Sequence, residues 1–180
     1  MKNYLFSLIK HFAFWLLLFI VGRILFLIAN FQAGIGLTFG NICLSFVHAL
    51  RLDVSAACYL TIFPFLLLTI ALCFSNKWLD RLLMGYYGVM LLPLIIIYFA
   101  DAFLYGEWLV KLNSKSLEYL RHPAEILQTA TWWQTCIVIL GTIILWFLFF
   151  LLYKKRIAKP PVERIKKRFA IAPAVLLLGG

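Results

Sequence analysis

Four apolar runs constrain this chain more than any other feature, because each is close to the length that crosses a bilayer. They cover residues 11–29, 54–74, 82–104 and 131–153. About 30 Å of hydrocarbon takes roughly 20 apolar residues in a helix. Inside hydrocarbon every backbone N–H and C=O must be satisfied within the segment, so such runs fold as helices. The chain is 64% hydrophobic, against about 45–50% for a soluble domain, and the surplus lies in these runs. A fifth apolar run opens at Phe169 and holds twelve residues through Gly180. Twelve residues do not span, so the expectation is a fifth helix cut short in a piece of a longer protein. Lys2 and Lys10 resemble the start of a signal peptide, but the first run is too long for one and no small-residue cleavage site follows it, so it reads as a retained helix. The expected fold class is all-α. It is a single polytopic transmembrane helix bundle over residues 1–180, with five spans, the fifth truncated.

The formal net charge of +10 does not point to nucleic acid, because eight of the seventeen basic residues fall in residues 154–168. A basic run between apolar segments reads as a cytoplasmic loop facing anionic lipid. Lys2, Lys10, Lys77, Arg81 and those eight make twelve basic residues on one side, while Arg51, Lys111, Lys115 and Arg121 make four on the other. Arg23 lies within the first run. That asymmetry predicts a cytoplasmic N-terminus, with residues 30–53 and 105–130 outside. Trp78 at one boundary and Trp108, Trp132 and Trp133 at the other suit the aromatic belts of a membrane. Pro64 and Pro93 fall within spans, where neighbouring helices can satisfy the carbonyls that proline frees.

The two outer segments are not plain loops. Asn41, Ser45, His48, Arg51 and Ser55 recur at spacings of 4, 3, 3 and 4, which puts them on one helical face. The expectation is an outer interfacial helix over 38–52, then a bend into the second span. Its polar stripe faces either water or, with Arg51 as the phosphate contact, lipid headgroups or a substrate. The outer helical loop, 105–130, follows Asp101 near the end of the third span. Asp101 either acts at membrane depth or reaches water. Asn113 or Ser114 can cap a short helix through Leu120, and Pro123 can open another.

Cys43, Cys58, Cys73 and Cys136 form no CxxC pair, and His11, His48 and His122 are scattered, so no metal or catalytic constellation is visible. The run HALRLDVSAACYL at 48–60, FPFLL at 63–67 and YFADAFLYGEWLVKLNSKSLEYLRHPAE at 98–125 do carry a likeness. They resemble the membrane domain of bacterial lipoteichoic acid synthase-like proteins, the sulfatase-family phosphoglycerol transferases of the alkaline phosphatase superfamily, in their Bacteroidetes-type versions. The resemblance implies five helices in the bacterial cytoplasmic membrane, followed by an extracytoplasmic catalytic domain. That domain would hold a threonine nucleophile and a divalent metal, manganese or zinc, none of which this chain supplies. An anionic phospholipid would be the donor. The positions carried over as candidates for holding the headgroup are Arg51, Asp53, Asp101, Tyr105, Glu107, Lys111 and Asn113. The topology read from charge delivers a domain after the fifth helix to the same outer side. The alternatives are the membrane domain of a phosphoethanolamine transferase or, from another class, a small transporter or scaffold.

Overall fold

The computed structural model describes residues 2–30, 39–73, 77–108 and 132–158, and all of its regular structure is helical. Four helices follow one another: α1 (Lys2–Ala29), α2 (Phe39–Cys73), α3 (Lys77–Trp108) and α4 (Trp132–Arg156). All four are long and apolar enough to cross a membrane. They alternate in direction. Asn30 after α1 meets Ala102 near the end of α3, and Tyr4 at the start of α1 meets Thr69 near the end of α2. One end of the bundle therefore carries Asn30, Asp53, Asp101 and Trp132, and the other carries His11, Asp80 and Arg156. Lipid-facing surface is apolar along every helix, with Leu52, Ile62, Val89, Ile139 and Phe147 among the exposed side chains. Trp132 and Trp133 are exposed at one end and Trp78 at the other, the two levels where amphipathic rings prefer to lie.

Three expected boundaries move. The expected interfacial helix over 38–52 is not a separate element within the described residues, because helix runs unbroken from Phe39 to Cys73. No glycine or proline lies between Gly40 and Pro64 to interrupt it. Asp53, at the expected junction, is tied to α1 instead of ending a helix. At 1.5 Å per residue α2 is roughly 52 Å long, so it overruns the hydrocarbon by tilt or by projection. α3 continues through Trp108, so residues 105–108, expected to begin the outer loop, are its last turn. α1 begins at Lys2, well before residue 11. The short helices expected after Asn113 and the fifth apolar run lie outside the described residues.

The bundle is held by aromatic packing and by a few cross-helix polar contacts. Phe14, Trp15, Leu18, Tyr87, Leu91, Ile95, Phe149 and Tyr153 are buried together between α1, α3 and α4. Close approach needs glycine at two points. A Cβ on Gly22 of α1 would collide with the Tyr98 ring of α3, and one on Gly141 of α4 with the Phe99 ring. Small residues at helix contacts are how membrane helices gain dispersion energy without a hydrophobic driving force.

Pro64 sits where α3 compensates it. Pro64 has no N–H to give the carbonyl four residues back, which is Leu60. The Tyr86 hydroxyl of α3 donates to that carbonyl at 2.9 Å. Elsewhere on α3, the Gly88 carbonyl accepts from Trp146 Nε1 of α4 at 2.9 Å. Tyr86→Phe therefore removes a donor from a carbonyl with no other partner in its own helix. It is expected to cost about 1 kcal/mol, read as a lower midpoint in unfolding from mixed micelles. An unchanged midpoint would mean that water or lipid reaches Leu60.

Candidate functional site

Charge inside the bundle is concentrated near the Asn30 end. Arg23 lies in α1 seven residues before Asn30, roughly 10 Å along the axis from that end. Its Nη2 donates to both Asp53 oxygens, at 3.1 and 3.0 Å, from α1 across to α2. The two side chains are only 20% and 19% exposed. The guanidinium also lies over the Phe46 ring, 5.7 Å from its centroid. Arg23 Nε is buried without a hydrogen-bond partner, so the cation is only partly satisfied by its carboxylate.

Helix geometry explains why Asp53 turns inward. On α2 the half-buried Ser45, Phe46, Ala49, Asp53 and Ala56 recur at three- and four-residue steps and form the face toward α1. Residues two apart on a helix differ by about 160°, so Arg51 points away from that face. Arg51 is exposed, together with His48 and Ser55. His48 Nδ1 folds back to the Leu44 carbonyl at 2.8 Å. Of the polar stripe read from the spacing, His48, Arg51 and Ser55 thus face outward, while Ser45 turns toward α1 on the side of Asp53.

The third helix brings the second motif alongside. Tyr98, whose ring packs on the Gly22 backbone, lies within electrostatic reach of Asp53, Arg23 and Asp101. Asp101 itself is half-buried. Tyr105 is half-buried and packs edge-on against Phe26 of α1, with centroids 5.1 Å apart. Asn30 seals the same end: its Nδ2 donates to Phe26 O at 3.0 Å and to Ala102 O at 3.2 Å. Of the candidates from sequence, Asp53, Asp101 and Tyr105 thus gather around α1, and Arg51 stands apart on the outer face of α2. Glu107 falls in the last turn of α3, and its side chain is not among those described. Lys111 and Asn113 lie outside the described residues.

Sequence reasoning missed Arg23 and Asn30 as members of this group. Arg23 left a usable signal: a cation within an apolar run needs a counter-charge at its own depth, and Asp53 and Asp101 lie next to apolar runs at that end. Asn30 left none beyond its place at a helix end.

Among the described residues no three of His, Cys, Asp and Glu come together as metal ligands. The carboxylate that the Asn30 end presents most closely is already taken by a guanidinium, which fits a divalent cation poorly. What the group offers is hydrogen bonding and fixed charge at the membrane boundary, together with an outward guanidinium at Arg51. No protein-family model, no curated protein and no solved structure matches the chain.

Proposed function

We propose that this chain is the membrane domain of a phosphoglycerol transferase-like enzyme of the bacterial cytoplasmic membrane, holding an anionic phospholipid for a catalytic domain outside the cell. The observation that carries this reading is the likeness of residues 48–60 and 98–125 to that family. Its support in the fold is that Asp53 and Asp101, one from each motif, both lie within electrostatic reach of Tyr98 at the Asn30 end. A lipid donor keeps its tails in the bilayer while its phosphate must reach a metal site above the membrane, so charge is needed at this boundary. Manganese or zinc would belong to the catalytic domain, and no step here runs through it. The direct test is to tag the native protein at its N-terminus, purify it from its source membrane, and supply phosphatidylglycerol labelled in the headgroup glycerol. Transfer of labelled glycerophosphate, with release of diacylglycerol, is expected. A purified protein that releases neither product would end this reading.

The excess of twelve basic residues, Lys2, Lys10, Lys77, Arg81 and the eight at 154–168, over the four on the other side supports a cytoplasmic N-terminus. A phosphatase fused at Ser114 is expected to be active and one at Pro160 inactive. Activity at Pro160 would reverse the orientation and remove the lipid-presenting role of the Asn30 end.

Arg51 is the exposed guanidinium of the first motif and can hold a phosphate by two parallel hydrogen bonds, which an ammonium cannot match. In the native enzyme Arg51→Lys is expected to lower transfer from the lipid donor roughly tenfold, the loss of one charge-assisted hydrogen bond. Hydrolysis of a soluble phosphate ester, which bypasses the membrane surface, is expected to stay within about twofold. Equal losses in the two assays would make Arg51 a structural residue.

A further inference from the structure

At the end opposite the candidate site, α3 and α4 leave a groove of 590 Å³ between them, lined by Arg81, Gly85, Gly88, Leu92, Trp146 and Phe150 among others. Gly85 and Gly88 add no side chains to its lining. A Cβ on Gly85 would meet nothing within 4 Å, and one on Gly88 would just touch the Phe150 ring at 3.5 Å. One wall is rigid, because Trp146 and Phe150 stack in parallel at 5.2 Å and Trp146 is pinned to the Gly88 carbonyl. The groove is apolar along its length and charged at one end. Arg81 is exposed there, beside the Trp78 ring at 5.8 Å. On α4, exposed Lys154 follows Phe150 by four residues and Trp146 by eight, so it shares their helical face one turn nearer the membrane boundary. Among the described residues Asp80 is the carboxylate of this end; it is exposed and lies within electrostatic reach of Tyr153.

We infer that this groove is a binding site for an anionic phospholipid, with an acyl chain along the Gly85–Gly88 floor and the phosphate between Arg81 and Lys154. The physical case rests on the match of two surfaces. A groove with two glycines in its lining takes a hydrocarbon chain closely, and lipid tails are what surrounds it in a bilayer. Two cations at the boundary then select the lipid by charge, at about 1 kcal/mol per Lys or Arg near the surface. The indole of Trp78 marks the headgroup level at which that phosphate would lie. This site is at the other end of the bundle from the proposed donor site, and it stands whether or not the chain serves a transferase.

Dioleoylphosphatidate is a suitable probe, since it carries the phosphate and no transferable headgroup. The chain in nanodiscs of dioleoylphosphatidylcholine with a minor share of phosphatidate would be released and its retained lipids weighed by native mass spectrometry. Phosphatidate is expected to be retained over phosphatidylcholine well beyond its share. Arg81→Gln is expected to cut that preference about fivefold, as one surface charge predicts. Gly85→Leu puts a side chain into the groove at a point where a Cβ meets nothing within 4 Å and removes a helix-weakening glycine, so it is expected to fold and to lose retained lipid of both kinds. Lys10→Gln, at the same end on another helix, is expected to leave the preference unchanged. Absence of any preference in the unaltered chain would overturn the proposal. So would full retention by Gly85→Leu, or an equal loss with Lys10→Gln, since either places the lipid elsewhere.

Discussion

Asp53→Ala is expected to be the most damaging single substitution at the candidate site, costing about 3 kcal/mol or more. The reason is asymmetric. With Asp53 present, Arg23 gives Nη2 to both carboxylate oxygens and the pair is nearly sealed between α1 and α2. With Asp53 absent, a guanidinium remains in an apolar run with its Nε already unpartnered. Breaking one side of a buried pair typically costs about 3–5 kcal/mol, because the cost is that of the orphaned charge and not of the bond. An arginine at the centre of a spanning helix carries about 2.5–3.5 kcal/mol by insertion measurements, a similar figure from a different route. The same logic predicts that Arg23→Leu together with Asp53→Leu restores most of the loss, since neither member of the pair is then left as an orphaned charge. Unfolding midpoints in mixed micelles, followed by far-ultraviolet circular dichroism, would separate the cases. If the double substitution is as unstable as Asp53→Ala, the pair is not what decides stability and the argument fails. Under the proposed function the double variant has a second use: it removes the paired charges while keeping the bundle, so any loss of lipid-dependent activity then reports on function and not on folding.

The difference between what could and could not be read beforehand follows from what periodicity encodes. Apolar length alone identified the four helices, because in hydrocarbon no other use of such a run satisfies the backbone. Pro64 could be left inside its span on the same ground, and Tyr86 turns out to supply the missing donor. The break expected near Asp53 was a length argument: 37 residues from Thr38 to Phe74 are too many for one crossing. Length does not break a helix, however. A glycine, a proline or an unsatisfied end does, and α2 has none at that place. The spacing of 4, 3, 3 and 4 located the stripe from His48 to Ser55 on one face correctly, yet the inward residue was Asp53, which lies off the stripe. Periodicity tells which face a residue occupies and is silent about which helix that face will meet. Arg23 and Asp53 are 30 residues apart, and His11 and Tyr87 are 76 apart. Such partners are set by the packing of whole helices, so no local pattern announces them.

The second large effect belongs to that hidden pairing at the His11 end. Tyr87 is fully buried at the middle of a three-helix aromatic stack. Its ring lies parallel to Trp15 of α1 at 4.8 Å and to Tyr153 of α4 at 3.9 Å, with Phe14 edge-on at 5.3 Å. Its hydroxyl shares a hydrogen bond of 2.7 Å with His11 Nδ1, and His11 is 1% exposed. Tyr87→Ala removes the ring that joins α1, α3 and α4, and is expected to cost about 3–5 kcal/mol, the usual range for an aromatic-to-alanine cavity. Tyr87→Phe keeps every ring contact and removes the hydroxyl, leaving His11 a buried nitrogen without its partner. That change is expected to cost about 1–3 kcal/mol. Adding His11→Leu to Tyr87→Phe takes away the orphan as well and is expected to recover part of the loss, since replacing both partners by apolar groups is often nearly neutral. The order of the three variants is what matters. Alanine must be the worst if stacking holds the helices together, because lipid tails offer membrane helices no hydrophobic drive to associate and contact area must serve instead. If Tyr87→Ala and Tyr87→Phe lose the same stability in the micelle titration, the stack contributes nothing beyond its one hydrogen bond. The join between α1, α3 and α4 would then have to come from Gly22, Gly141 and the rings that pack on them.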